Sequence, residues 1–263
     1  MGKWKEMLTG ETYQDLETKA AASDEPEHVA IDMSFYTITR KEDQHYLRGM
    51  IDSLPKGIEC VIVNTVHDPE KDGTLTVDRK EGIDGIEYIL ATYNYAAWDF
   101  ATARNAALQL CNRSWCFWMD TDDRLLAFQH DNIREITTLP PGVAGVMVGC
   151  YGYQPPYEDN KRGSFYAVPH CRAHRNIQGI EWRGKVHEQI EPQIKDMGFT
   201  TVEADIGVYH VGYVIDKDGL TKKMGRNVVM LCQQIATDRT YLSDYYTTTL
   251  RNNLNTYLEL KGQ

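Results

Sequence analysis

The chain has 263 residues, 42% hydrophobic and 10% aromatic, with a formal net charge of −10. This length and apolar content support one large core-forming domain, with or without an appendage. The acidic balance excludes general coating of nucleic acid while leaving room for a local basic site. No apolar run reaches the roughly 18–20 residues that a membrane-spanning helix needs.

Six cysteines stand at 60, 111, 116, 150, 171 and 232, none at CxxC spacing. A chain of this size needs no disulfide framework, so they read as reduced thiols. Met1–Glu6 lacks the apolar core of a secretory signal. Together these features predict a cytoplasmic protein.

Residues 1–27 are polar and read as an N-terminal arm. Val29, Ile31, Met33 and Phe35 alternate with smaller or polar residues, which predicts a strand over 29–35. Tyr46, Leu47, Met50, Ile51 and Leu54 fall at helical spacing and stop at Pro55, predicting a helix over 42–54. A buried strand follows over 59–63, running into Asn64. Residues 67–82, rich in Asp, Lys and Gly, read as a loop, and 86–90 as a third strand. Strand, helix and strand in this order open a parallel α/β sheet.

Phe100, Ala103, Ala107 and Leu110 share a face, predicting a helix over 99–111 with Asp99 at its start. Arg104 in its first half is either a solvated charge or a cation reaching a diphosphate or nearby carboxylates. Trp115–Met119 is a continuous apolar run, the pattern of a strand buried on both faces. It ends in Asp120, Asp122 and Asp123. Ligands of open α/β sheets bind at the carboxyl ends of strands. Asp120 and Asp122 are two apart and share one side of an extended chain. The pair reads equally as a metal–diphosphate site for Mg²⁺ or Mn²⁺ and as a polar turn capping the next helix.

Further on, 129–137 reads as a helix and 143–150 as a strand. In 151–175, Tyr151, Tyr153, Tyr157, Phe165 and Tyr166 are interleaved with Lys161, Arg162, Arg172, His174 and Arg175. Over 161–187 there are six Lys and Arg against one Asp or Glu, a net of +5 in an acidic chain. Basic residues among aromatics suit a polyanionic, stackable partner such as nucleic acid. The alternative is a sugar platform or core with solvated charges. Trp182-Arg-Gly-Lys-Val-His-Glu188 offers a carboxylate beside apolar neighbours, a general-base environment, although the residues alone favour an ordinary exposed Glu beside a structural His. His210 reads as a buried hydrogen-bonded residue or a metal ligand. Two helices over 220–235 and 241–260 complete the chain. The predicted layout is an arm at 1–27, a catalytic α/β domain at 28–215 and a helical extension at 216–263.

Three segments carry a resemblance: Trp98–Ala107 followed by Trp115–Asp123, Gly179–Glu188, and Val208–Tyr213 followed by a basic helix containing Arg226 and Asn227. In this order they resemble family 2 glycosyltransferases of the GT-A fold over roughly residues 28–230. The resemblance implies a mostly parallel central sheet flanked by helices. It also implies a nucleotide-sugar donor (UDP by default), a divalent metal and usually inversion at the anomeric carbon. By the same resemblance Thr37, Asn64, Arg104, Asp120 and Trp182 meet the donor. Asp120, Asp122 and His210 hold the metal, with Asp123 supporting. Glu188 is the base, helped by His187 and Arg104. Asn64 stands where the family usually has an Asp, which alters base recognition. The acceptor hydroxyl would belong to a saccharide or to an anionic macromolecule such as hydroxymethyl-pyrimidine DNA. Two other classes compete. One is a metal-dependent nucleotidyltransferase or nucleotide-sugar hydrolase. The other is a non-catalytic nucleic-acid or glycan binder on the same scaffold.

Overall fold

A computed structural model describes residues 30–154, 164–211, 217–237 and 243–262. The predicted arm at 1–27, Val29, Tyr157, Lys161 and Arg162 lie outside the described residues, as do the side chains of Tyr153, Phe165 and Tyr166.

In chain order the strands are β1 (Met33–Thr39), β2 (Glu59–His67), β3 (Leu75–Ile83), β4 (Ile86–Tyr95), β5 (Trp115–Trp118), β6 (Asp123–Leu125), β7 (Val143–Gln154), β8 (Ser164–Arg175) and β9 (Thr200–His210). The helices are α1 (Gln44–Asp52), α2 (Phe100–Leu108), α3 (His130–Ile136), α4 (Glu191–Asp196), α5 (Lys217–Thr237) and α6 (Ser243–Lys261). The nine described strands form one sheet in the order β3-β4-β2-β1-β5-β8-β7-β9-β6. Its centre, β4-β2-β1-β5, is parallel. The flanking strands pair antiparallel except for β7 with β9.

The central strands are short apolar runs because both sheet faces are covered. On one face Met33, Phe35, Cys60 and Ile62 pack with Leu47 and Met50 of α1 and Ile133 and Ile136 of α3. On the other, Tyr36, Val61 and Val63 pack with Ala101, Ala103, Ala106 and Ala107 of α2. Alanine on that face lets the helix lie close to the sheet. Asp99 caps α2, its carboxylate accepting from the Thr102 N–H at 3.0 Å. A buried Glu59 joins β1, β2 and the turn after α2. It accepts from the Ser34 hydroxyl at 2.6 Å and from the Asn112 backbone and amide at 2.8 Å each.

Several boundaries move. Among the described residues the first strand begins at Met33, with 30–32 outside it, and continues to Thr39, because it pairs with β2 as far as Asn64. The loop expected over 67–82 contains β3, an antiparallel edge strand whose charged residues face water. β6, α4 and most of β9 were not foreseen. β7 and β8 make a long hairpin that carries the predicted basic–aromatic stretch into the sheet. The two long helices are present, and Met230 and Leu231 of α5 and Tyr246 of α6 pack on Val186. None of the described helices is long and apolar enough to cross a membrane. All six cysteines are unpaired, and five are buried.

Candidate active site

The site starts where β5 stops. Met119 still donates its backbone N–H to Tyr36 of β1, at 3.1 Å. The chain then turns on itself. The Asp123 N–H donates to the Asp120 carbonyl at 3.0 Å, and the Asp123 carboxylate accepts from the Asp120 N–H at 2.9 Å. β6 then pairs with the end of β9, placing Asp123 opposite His210. The Val211 N–H closes the corner on the Asp122 carbonyl at 2.9 Å. Residues 87 apart in sequence thereby share one corner.

Asp123 is completely buried and organises that corner. Its Oδ2 accepts from Arg172 at 2.7 Å, and its Oδ1 lies 2.9 Å from Nδ1 of His210. Nε2 of His210 faces Oδ2 of Asp122 at 3.3 Å. One atom from each of Asp120, Asp122, Asp123 and His210 falls within 4.8 Å of the others.

Arg104 joins this corner to Glu188. Its Nη2 donates to Oδ1 of Asp120 at 2.8 Å, and its Nε donates to Oε1 of Glu188. The guanidinium lies over the Trp118 ring at 4.0 Å, with Trp182 at 5.5 Å. The planar fork suits two carboxylates at once, and the stacked rings hold its plane. Trp182 stands edge-on to Trp118 at 5.1 Å and donates its indole N–H to the Tyr36 hydroxyl at 2.8 Å. Its backbone exchanges hydrogen bonds of 2.7 and 3.0 Å with the Asn105 amide. Two neighbours on α2, Arg104 and Asn105, therefore fix the Trp182–Glu188 segment.

The electrostatics divide the three aspartates. Burial would raise Asp120, but Arg104, Arg172 and His210 outweigh it and hold the carboxyl well below the usual range. Burial pushes Asp122 up to about 6, with Asp120 and Asp123 adding to the rise and His210 opposing it. Burial would lower His210, yet its bond to Asp123 and the surrounding carboxylates raise it. Asp120, Asp122, Asp123 and Glu188 carry four negative charges against two on Arg104 and Arg172. The remainder of −2, with His210 neutral, equals the charge of one divalent cation. Nε2 of His210 and Oδ2 of Asp122, 3.3 Å apart, are close to the roughly 3.0 Å between adjacent ligands of an octahedral ion with bonds of about 2.1 Å. The residues present thus fit a Mg²⁺ or Mn²⁺ ion.

Solved structures are similar. At 12% identity, the chain aligns with a mannosyltransferase, PcManGT from Pyrobaculum calidifontis, in complex with GDP-Man and Mn²⁺. The TM-score is 0.47, covering 95% of this chain and 79% of that one. It also aligns at 12% identity with S. aureus TarS 1-349 in complex with UDP-GlcNAc, TM-score 0.45, covering 86% of this chain and 72% of that one. Against the longer S. aureus TarS structure it spans 43% of that chain, at 14% identity and a TM-score of 0.43. No protein-family model matches the chain. No curated protein matches it either. Likenesses this distant decide nothing about activity; the side chains must.

Of the residues expected to act, Arg104, Asp120, Asp122, Glu188 and His210 converge. Trp182 is buried with its N–H engaged, so it supports Arg104 instead of lining an open pocket. Glu188 does not stand alone against an apolar wall, because Arg104 holds it. His187 adopts a left-handed backbone (φ 54°). Thr37 is buried within β1, and Asn64 of β2 accepts from the Gln44 amide at 3.4 Å. Both stand in the carboxyl half of their strands, and Tyr36, next to Thr37, pairs with Trp118 at the end of β5.

The basic–aromatic stretch turns inward. Arg172 is buried on Asp123. Arg175 donates to the carbonyls of Leu139, Pro140 and Val143 at 2.7–3.1 Å. His174 is buried on the Tyr36 hydroxyl, and burial pushes it down to about 4. These three are therefore not presented to a polyanion. Arg172 escaped the sequence reading as a site residue, although a basic residue within an apolar strand was its signal. Tyr36, which the resemblance sets with Thr37 at the nucleoside end of the first strand, meets Trp182 and His174 through its hydroxyl.

Proposed function

We propose that the chain is a metal-dependent glycosyltransferase of the family 2, GT-A type, moving a hexose from a nucleotide sugar to an acceptor hydroxyl with inversion. The observation that carries this is Arg104, whose one guanidinium holds both the metal-side carboxylate Asp120 and the base candidate Glu188. Displacement at a sugar carbon needs a charged leaving diphosphate on one side and a proton acceptor on the other, at fixed separation. Arg104 fixes that separation.

Asp120, Asp122 and His210 would hold Mg²⁺ or Mn²⁺, with Asp123 orienting His210 from behind. The ion, when bound, neutralises charge developing on the diphosphate. Asp120, paired with Arg104, would face the donor phosphates through that ion. Glu188 takes the proton of the acceptor hydroxyl as its oxygen attacks the anomeric carbon and the nucleoside diphosphate departs. Trp118 and Trp182 keep Arg104 in plane and exclude water around it. Thr37 and Asn64 contact the nucleoside, UDP by resemblance. A 28–215 catalytic unit with a 216–263 helical extension remains the preferred division. With Arg172, His174 and Arg175 turned inward, a saccharide acceptor is favoured over DNA.

A nucleotide-sugar hydrolase shares the aspartate corner but gives Glu188 no acceptor. The test is binding and slow hydrolysis of a panel of nucleotide sugars, with and without Mn²⁺, in wild type and Asp122→Ala. Metal-dependent binding of one donor, lost in the variant, is expected. Failure of every nucleotide sugar to bind in either condition overturns the proposal.

A further inference from the structure

Arg104 has no charge to spare, since two carboxylates already share it. A different cation surplus lies at Trp98 and Phe100, which pack with Val186. Arg40, just past β1, lies over the Trp98 ring at 5.7 Å. Trp98 meets Phe100 edge-on at 4.9 Å, and Arg226 of α5 lies over Phe100 at 5.6 Å. Two guanidiniums thus flank one aromatic pair. The backbone N–H of Phe100 donates to the Lys185 carbonyl at 3.0 Å, tying the pair to the segment that carries His187 and Glu188.

Charge and hydrogen bonding are both unbalanced here. Asp43 is the acid facing Arg226, and it is already paired with Arg40 at 2.9 Å. Arg226 donates to the Asn227 amide oxygen at 3.3 Å, but its Nε is buried without a partner. The Trp98 indole N–H and Nε2 of His187 are also buried and unpartnered. These three are half of the six such side-chain atoms among the described residues. Buried polar atoms ordinarily find a partner, and unpaired ones call for an explanation, an absent ligand or ion among them. Burial and the facing charge of Arg40 depress Arg226. Burial also depresses His187, opposed by Glu188 and Asn253, with Lys223 and Arg226 adding to the fall.

We infer that Arg226 and Arg40, with the Trp98 and His187 nitrogens, form a phosphate-binding subsite on the α5 side of Glu188. Guanidiniums favour phosphate because their planar fork donates two bonds to two oxygens. The phosphate belongs to the donor's diphosphate or to an anionic acceptor. Only that assignment rests on the glycosyl-transfer reading; the subsite itself does not.

The test titrates the full chain, wild type and the variants Arg226→Gln and Arg40→Gln, with inorganic phosphate and separately with UDP plus Mn²⁺. Each variant should weaken at least one probe about tenfold, the effect of losing a charge-assisted hydrogen bond. Weaker UDP binding assigns the subsite to the donor. Weaker phosphate binding with UDP unchanged assigns it to the acceptor. Arg226 and Arg40 lie on separate elements, so misfolding of one variant does not mask the other. Arg226→Lys, which keeps the charge and loses the fork, should fall between Gln and wild type. Phosphate bound through Arg226, with no nucleotide sugar bound at all, overturns glycosyl transfer and leaves the subsite standing. Unchanged binding of both probes in both variants, or no binding of either probe by wild type, overturns the subsite.

Discussion

Oδ1 of Asp123 lies 2.9 Å from Nδ1 of His210, and this contact decides which face the imidazole offers to Asp122. A buried carboxylate flanked by Arg172 accepts, so the ring N–H sits at Nδ1 and Nε2 turns its lone pair towards Asp122. A carboxylate behind a ligating histidine is the usual way of fixing its tautomer. Asp123→Asn can donate as well as accept, which releases that choice. The expected outcome is Mn²⁺ affinity about 10–100-fold weaker, with all proposed ligands intact. Metal titration of the variant checks it, and unchanged affinity would show that Asp123 does not orient His210.

The same corner sets a pH dependence in the metal-free chain. Asp122 is pushed up to about 6 from 3.8. Its folded form holds the proton more tightly, so the stability it contributes is full below 3.8 and is lost as pH rises through about 6. His210 is raised above 6.5 and acts with the same sign, its contribution lost as pH rises through the raised value. Asp120 is depressed and has the opposite sign: its contribution is present above 3.8 and is lost as pH falls through the lowered value. Asp122→Asn should therefore be more stable than wild type at about pH 8, with the advantage vanishing by about pH 4. Thermal midpoints of both proteins across that range measure it. A difference independent of pH would remove the charge on Asp122 as its cause.

The sheet centre was legible because strands buried on both faces read as apolar runs, and Trp115–Met119 is the clearest. β3 was not, since an edge strand keeps charges such as Asp78, Arg79 and Lys80 on its surface and imitates a loop. The aspartate corner was legible as chemistry but not as architecture. Asp123 looked like a supporting residue, and nothing near it in sequence reveals that Arg172 and His210 meet on it. Arg172 looked like a surface cation, because sequence alone does not say which side of β8 faces inward. Arg104 and Asn105 were visible as neighbours on one helix, while their partners, 84 and 77 residues away, came only with the fold.

Arg104 and Glu188 form a nearly closed ion pair, with 6% and 8% of their side chains exposed. Removing one partner of such a pair leaves a buried charge and costs about 3–5 kcal/mol. Removing both costs less than the sum. Arg104→Met and Glu188→Gln should each destabilise. The double variant should recover about 0.5–3 kcal/mol relative to additivity, although Asp120 still loses Arg104. Denaturant unfolding of the four proteins gives the coupling, and strict additivity would mean the pair is not formed in solution.

Glu188→Gln also separates binding from chemistry. The amide keeps the size of the side chain but cannot take a proton. Transfer to an acceptor should fall by about 10²–10⁴-fold, the usual contribution of general-base catalysis, while donor binding changes little. Rates and donor affinity measured together test this. Transfer at the wild-type rate would exclude Glu188 as the base.

Gly184 stands behind Glu188 in a backbone conformation (φ 107°) that other residues avoid. A Cβ there would fall on the Tyr246 hydroxyl, which itself donates to the Arg183 carbonyl at 3.3 Å. The Lys185 N–H is held at 2.9 Å by the Gln234 side chain. Helices α5 and α6 thus press on the segment that carries the base. Gly184→Ala meets two obstacles: backbone strain of about 1–3 kcal/mol and overpacking of similar size. Tyr246→Phe removes the hydroxyl and relieves only the second. Gly184→Ala should lower both stability and transfer rate, and adding Tyr246→Phe should restore part of each. Unfolding midpoints and transfer rates of the single and double variants decide it. A full return to wild type would show that the backbone strain is negligible, and no return would show that Tyr246 does not crowd Gly184.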